Sequence, residues 1–123
     1  MVLQCEVDLH IIKLQQVEYL QEVYTMKYFI LNGTFKEGRP EGPAFKAALD
    51  AHHAYTAEYI KNGDILTCGP KPGGGGVMII RAENVESIEK FIANDPFVTA
   101  GVQDYVVQEF SVFAIQEYAK QWK

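Results

Sequence analysis

The sequence is poor in the residues that form disulfides and metal sites. Only two of its 123 residues are cysteines, Cys5 and Cys68, which is too few for the disulfide framework of a small secreted domain. It has no C-x-x-C pair and no cluster of cysteine with histidine, so we expect neither a metal nor any other cofactor. A reducing compartment, the cytoplasm, is the simplest environment for such a chain.

The chain also lacks an excess of positive charge. It has 11 lysines and arginines against 16 aspartates and glutamates, for a net charge of −5. An acidic surface gains nothing from a phosphate backbone or an anionic lipid surface, so neither a nucleic acid nor a membrane is an expected partner. No apolar run is long enough for a transmembrane helix. Charges interrupt the apolar residues at the start of the chain, which is therefore not expected to be a signal peptide.

Residues 1–25 differ in character from residues 26–123. No glycine, proline or clear capping residue organises the first segment. The codons CAG-GAG-GTN for Gln21-Glu22-Val23 would contain a strong bacterial ribosome-binding sequence just upstream of the Met26 codon. We expect one α+β domain over 26–123. The preceding segment is then either translated leader, with Met26 as the natural start, or a genuine N-terminal extension.

The rest of the chain alternates between strand-like and helical patterns. Strands are predicted at 28–31, 65–68, 77–80 and 105–115, and helices over 44–62 and from Asn84 onward. Asn32-Gly33 is expected to end the first strand and Gly69-Pro70 the second, because glycine and proline are the strongest breakers of regular structure. The order β-α-β-β-α-β is that of a ferredoxin-like α+β fold, in which both helices cover one face of an antiparallel sheet.

That layout leaves the second face of the sheet without helices. The strands at 28–31 and 77–80 are nevertheless apolar on both sides, although a half-exposed sheet should alternate. The last predicted strand carries Val106 and Phe110 on one side and Val107 and Phe113 on the other. Since a bare apolar face promotes association, we expect a homodimer in which the sheets of two copies pack face to face.

Two adjacent histidines lie in the first predicted helix. At ~100° per residue, His52 falls in the middle of the apolar face, and His53 lies about a quarter turn away, in solvent. The apolar face is formed by Phe45, Leu49, Tyr59 and Ile60. A buried imidazole needs a hydrogen-bond partner, and an apolar setting favours its neutral form, which a general base requires. The alternative is a core histidine that is hydrogen-bonded to backbone.

Asp95-Pro96 has the composition of a helix start. Asp accepts the free N–H groups of the first turn and Pro occupies its first position, so a short helical turn that ends at Gly101 is predicted. Capping alone would explain Asp95, but a capping carboxylate can still offer its other oxygen to an imidazole. Cys68 is a possible nucleophile at a strand end, although a small buried hydrophobic residue is the preferred interpretation.

Four consecutive glycines, Gly73–Gly76, separate two predicted strands. A phosphate-binding loop would end in Gly-Lys-Ser/Thr and open onto a helix, and this run does neither. A mobile hairpin loop that could act as a lid over a pocket fits the glycines better.

Three segments of the chain together resemble the YCII-related family. They are His52 with Gly63 eleven residues later, the stretch 65–70, and Asn94-Asp95-Pro96-Phe97-Val98 followed by 100–102. The resemblance runs from Met26 to about Phe113. This family is similar to the dimeric α+β barrel proteins, which include lactone isomerases, small monooxygenases of aromatic compounds and a dehydrochlorinase of chlorinated hydroxyquinols.

The resemblance implies a catalytic dyad of His52 and Asp95. The residues that it implies at the substrate are Cys68, Gly69, Pro70 and Phe97. Many members carry an arginine one turn before the histidine, where this chain has Leu49. An anionic substrate group held by such an arginine is therefore not expected here, unless Arg39 or Lys71 supplies the charge from a loop.

Two functions fit these expectations. One is a cofactor-free enzyme in which His52 moves a proton during isomerisation or elimination on a small cyclic or aromatic molecule, while Asp95 orients the imidazole. The other is a non-catalytic, dimeric binding module with the same pocket. Similarity of fold alone does not separate them.

Overall fold

A computed structural model of the chain describes residues 25–123. Its elements are β1 (Lys27–Phe35), α1 (Gly42–Lys61), β2 (Ile65–Pro70), β3 (Gly76–Ala82), α2 (Val85–Ala93), α3 (Pro96–Thr99) and β4 (Gln103–Phe110). A 3₁₀ helix, Glu117–Trp122, follows near the end. The expectations for Cys5 and for the leader or extension lie outside the described residues.

The four strands form one antiparallel sheet in the order β2-β3-β1-β4. Phe29 pairs with Ile80 and Leu31 with Met78, and all four side chains are buried beneath the helices. Burial of each such side chain contributes roughly 1.5–3 kcal/mol. Ile88 and Phe91 of α2 complete this core. The predicted ferredoxin-like α+β arrangement, with the helices on one side of the sheet, is confirmed.

Helix α1 begins and ends close to the predicted bounds. Pro43 lies in its first turn, and Gly63, just past the Asn62 cap, has a φ of +89°, which favours glycine. Ile60 is predicted to face the core, but it is 51% exposed and lines the cavity described below. No helix within residues 25–123 is both long and apolar enough to span a bilayer.

The prediction that Asn32-Gly33 ends the first strand is wrong. Strand β1 continues to Phe35, with Gly33 opposite Tyr105 of β4. Gly33 does not form a turn; a Cβ atom there would lie 2.5 Å from Oε1 of Gln103, so glycine allows this close approach. Gly69-Pro70 likewise belongs to β2. This strand lies at the edge of the sheet, where proline is tolerated.

The last strand is shorter than predicted. It ends at Phe110, and Phe113, which was expected to lie on the sheet, is 96% exposed. The chain then turns back, and the Trp122 ring packs on Tyr28 with 5.2 Å between the centroids. The Trp122 Nε1 atom donates to the carbonyl oxygen of Gly63 at 2.8 Å. The C-terminal segment that ends at Trp122 therefore covers one end of the second sheet face, a contact for which the sequence carries no signal.

Candidate functional site

A cavity of about 600 Å³ lies between α1 and the sheet. Its apolar lining includes Phe35, Phe45, Leu49, Ile60, Met78 and Phe97. Its polar lining includes His52, His53, Thr56, Cys68, Gln103 and Tyr105. The walls are thus mostly aliphatic and aromatic, with a few polar groups that could orient a ligand, as is usual for small-molecule sites.

His52 and Asp95 form a hydrogen-bonded pair at this cavity. The distance from Nδ1 of His52 to Oδ1 of Asp95 is 2.7 Å. The Asp95 side chain is completely buried, and that of His52 is 14% exposed. Since the carboxylate can only accept, Nδ1 carries the proton, and the lone pair of the neutral imidazole is on Nε2. His52 lines the cavity, and among the described residues its ring makes no side-chain hydrogen bond other than the one to Asp95.

Local chemistry of α3 holds Asp95 in place. The carboxylate oxygen Oδ1 also accepts from the backbone N–H of Phe97 at 2.9 Å, as a helix cap does, with Pro96 at the first helical position. The Phe97 ring stacks on the imidazole of His52 with 4.3 Å between centroids and an interplanar angle of 5°. One short turn therefore supplies the carboxylate and the flat surface that fixes the plane of the imidazole.

The second carboxylate oxygen is held by strand β4. The hydroxyl of Tyr105 donates to Oδ2 of Asp95 at 2.9 Å, and Nε2 of Gln103 donates to the Tyr105 oxygen at 2.8 Å. Burial, followed by the negative charge of Asp95 and the hydrogen bond to it, raises the pKa of Tyr105. Tyr105 therefore stays protonated and remains a donor. Among the described residues, the buried Oε1 of Gln103 has no hydrogen-bond partner.

Sequence reasoning missed both Tyr105 and Gln103. The available signal was their spacing of two residues, which places both side chains on one face of a strand. A glutamine on the buried face of a strand needs a polar partner, and in the structure that partner is Tyr105. The further bond from Tyr105 to Asp95 has no signal in the sequence.

The other predicted site residues border the cavity in different ways. Cys68, Gly69 and Pro70 lie along edge strand β2 and all three line the cavity. The preferred interpretation of Cys68 as a buried residue is wrong, because it is exposed. Partial burial still raises the pKa of its thiol, which disfavours the thiolate that a nucleophile requires. His53 is exposed as predicted, and it also lines the cavity.

The glycine run is a tight turn that packs against β1. The backbone N–H of Lys71 donates to the carbonyl oxygen of Gly75 at 3.0 Å, and Gly73, Gly74 and Gly75 all have positive φ. A Cβ atom on Gly75 would collide with the carbonyl oxygen of Gly33. Gly75 and Gly76 line the cavity, so the turn forms part of its wall, and its use as a lid stays a prediction.

The cavity is poor in positive charge. Of the lysines and arginines in residues 25–123, none lines it. The guanidinium of Arg39 lies 4.9 Å from the ring centroid of Phe35, and Lys71 donates to the side chain of Asn32. In the same part of the chain, no three His, Cys, Asp or Glu side chains are grouped so that they could hold a metal ion.

Two solved structures share this fold. One is 5-chloro-2-hydroxyhydroquinone dehydrochlorinase from Burkholderia phenoliruptrix AC1100, in complex with 2,5-dihydroxybenzoquinone. It is 22% identical, with a TM-score of 0.54 over 68% of this chain and 93% of that chain. The other is the transcriptional regulator NMB0573 from Neisseria meningitidis in complex with L-Met. It is 10% identical, with a TM-score of 0.51 over 85% of this chain and 71% of that chain.

At these identities the likeness shows the fold alone. No curated protein matches the chain. The family model of the YCII-related domain matches residues 26–111, a segment that contains all four strands, both members of the His52–Asp95 pair and every polar residue named at the cavity. The chain belongs to the YCII-related domain family.

Proposed function

We propose that this protein is a cofactor-free enzyme that moves a proton during isomerisation of, or elimination from, a small cyclic or aromatic molecule. The observation that carries the proposal is the 2.7 Å hydrogen bond between His52 and a fully buried Asp95, at the wall of a mostly apolar cavity. A positioned imidazole whose second nitrogen has no hydrogen-bond partner within residues 25–123 suits the role of a general base.

In the proposed reaction, Nε2 of His52 takes a proton from the bound molecule. The imidazolium that forms lies against the Asp95 carboxylate, which stabilises its charge without moving. In an isomerisation, the imidazolium returns the proton to a different atom of the same molecule. In an elimination, a leaving group departs with the bonding electron pair, and the imidazolium then loses its proton to solvent. Neither route needs an oxidant or a reductant.

The rigidity of Asp95 supports a catalytic use of the pair. Its carboxylate accepts three hydrogen bonds, from Phe97 N–H, Tyr105 O–H and His52 Nδ1–H. A carboxylate fixed in this way holds the imidazole in one tautomer and one orientation. A general base works best when neighbouring groups already hold it in the geometry of the transition state, so that it does not have to rearrange.

A ring-shaped substrate suits the cavity. Its volume of about 600 Å³ and its aromatic lining are sufficient for a small phenol, quinone or lactone. A protein of the same fold was solved with 2,5-dihydroxybenzoquinone, which supports this class. We propose that Cys68, Gly69, Pro70 and Phe97 contact the substrate, because all four border the cavity.

A binding module is the second candidate function. The regulator NMB0573 carries L-Met on the same fold, so the fold also occurs in a ligand-binding protein that is a transcriptional regulator. In this alternative the His52–Asp95 pair would anchor a polar group of the ligand and no bond would change.

His52→Ala and a control variant on the same helix test the proposal. His52→Ala should lower turnover by about 10²–10⁴-fold, the range for one positioned acid–base group, while Glu58→Ala, at an exposed position of α1 that does not line the cavity, should leave the rate within a few fold. The assay follows absorbance and chloride release with hydroquinones, lactones and 5-chloro-2-hydroxyhydroquinone, and circular dichroism checks folding. Binding without turnover in the unaltered protein would favour the module. If His52→Ala unfolds the chain, the histidine is structural and the proposed dyad fails.

We also propose that the protein is a homodimer that pairs through the second face of its sheet. Val77 and Val106 flank Asn32 on this face, and Val106 is 68% exposed. Sedimentation at micromolar concentration should give a dimer, and Val106→Glu should weaken it. Ala47→Glu, on the exposed side of α1, is the control and should have no effect. A monomer in the unaltered protein would contradict this proposal.

A further inference from the structure

The charge balance of the cavity narrows the class of molecule that it can bind. Asp95 contributes a fully buried carboxylate next to the cavity. Among residues 25–123, no lysine or arginine lines the cavity to offset that charge. We propose that the site selects a ring molecule that is uncharged when it binds and becomes an anion only when His52 takes its proton, and that it rejects carboxylated analogues.

Two physical effects oppose an anionic ligand. The first is desolvation, because a carboxylate that enters a mostly apolar cavity loses water without a cation to replace it. The second is repulsion by Asp95. An anionic group placed against Nε2 of the neutral His52 would face a lone pair that offers it no proton. It would also lie about 7 Å from the Asp95 oxygens, and at an effective dielectric constant of about 20 the repulsion between the two charges would lower the affinity about 50-fold.

The same arrangement accepts charge after proton transfer. Once Nε2 holds the substrate proton, the imidazolium lies between the new substrate anion and Asp95, and each negative charge faces a positive one. An anion that arrived already charged would require His52 to be protonated beforehand, and a protonated imidazole cannot act as a base. Neutrality at binding is therefore a condition of the proposed function, on which this inference rests.

Leu49 is the position that sets this preference. It lines the cavity and lies three residues before His52 on α1, so the two side chains occupy the same helix face one turn apart. An arginine at this position would place a guanidinium within reach of a bound carboxylate. The apolar residue leaves the wall without charge.

Isosteric probes isolate the effect of charge. Calorimetry at neutral pH would compare 2,5-dihydroxybenzamide with 2,5-dihydroxybenzoate, which differ in charge but hardly in shape, with hydroquinone as the unsubstituted reference. We expect the amide to bind at least about 10-fold more tightly than the acid, given the repulsion and desolvation described above. Leu49→Arg should shift this ratio by about 10-fold or more towards the acid, and Leu49→Met, which stays neutral, should not.

Ala57→Arg provides the same test if Leu49→Arg does not fold, because Ala57 is exposed and also lines the cavity. If the acid binds the unaltered protein as tightly as the amide, the inference is overturned while the proposed function stands. An unchanged ratio in a folded arginine variant also overturns it. If none of the three probes binds at millimolar concentration, the aromatic substrate class is wrong and the inference fails with it.

Discussion

Replacement of Asp95 distinguishes the role of its charge from the role of its hydrogen bonds. In Asp95→Asn the amide oxygen can keep the bonds from Phe97 N–H and His52 Nδ1–H. The amide nitrogen then faces Tyr105, whose hydroxyl must turn and accept. That hydroxyl proton has a new acceptor available, because the Gln103 amide can flip and present its oxygen, which has no partner among the described residues.

Asp95→Asn should therefore cost little stability. Hydrogen bonds to a charged group contribute about 1.5–3 kcal/mol each and neutral ones about 0.5–1.5 kcal/mol. Loss of the buried charge removes a desolvation penalty and offsets part of that difference. A net loss of about 1–2 kcal/mol follows. Asp95→Ala leaves three buried donors unpaired, at about 1–3 kcal/mol each, so a loss of about 4 kcal/mol or more is expected.

Denaturant unfolding followed by the fluorescence of Trp122, the single tryptophan, would measure both losses at one fixed protein concentration. In thermal unfolding the difference should separate the two melting temperatures by roughly 10 °C. Equal losses for Asn and Ala would show that the carboxylate charge, and not the set of donors around it, stabilises this region. A loss below about 1 kcal/mol for Ala would show that the three donors find other partners.

Two further predictions concern pH and the glycine turn. Because burial raises the pKa of Tyr105, its contribution to stability is present below the pKa of an unfolded tyrosine, about 10, and is lost at higher pH. Urea titrations between about pH 9 and 11 should show a steeper decline in the unaltered protein than in Tyr105→Phe, and equal slopes would contradict the burial argument. Gly75→Ala should destabilise the fold far more than Gly38→Ala. Both glycines have positive φ, which costs an alanine about 1–2 kcal/mol, but only at Gly75 would the added Cβ atom meet backbone. Similar melting temperatures for the two variants would refute the close packing of the turn.

The sequence predicted those parts of the site that depend on local geometry. The helical period alone distinguished inward His52 from exposed His53. The Asp95-Pro96 pair identified a helix cap because the capping bond involves a residue only two positions away. The order β-α-β-β-α-β, read from such local patterns, was sufficient to predict the ferredoxin-like fold.

The sequence failed where distant segments decide the structure. The bond from Tyr105 to Asp95 joins β4 to the cap of α3, and no local pattern encodes such a contact. The sequence predicts a strand end at Gly33, yet Gly33 lies within β1, where Gln103 approaches it closely from the neighbouring strand. Ile60 is exposed at the cavity and not packed in the core, and the tail that ends at Trp122 covers Tyr28 from far along the chain. In each of these cases a tertiary contact between distant segments overrides the local preference of the sequence.

The two sides of the cavity differ in how freely evolution can alter them. On the turn side, a Cβ atom added at Gly75 would collide with the carbonyl oxygen of Gly33, so Gly75 does not tolerate a side chain and this wall offers few neutral routes to a new sequence. On the α1 side, Leu49, Ala57 and Ile60 border the cavity without contributing to the hydrogen bonds of Asp95. We therefore expect new specificities to arise by substitutions along one face of a single helix, with the His52–Asp95 pair unchanged.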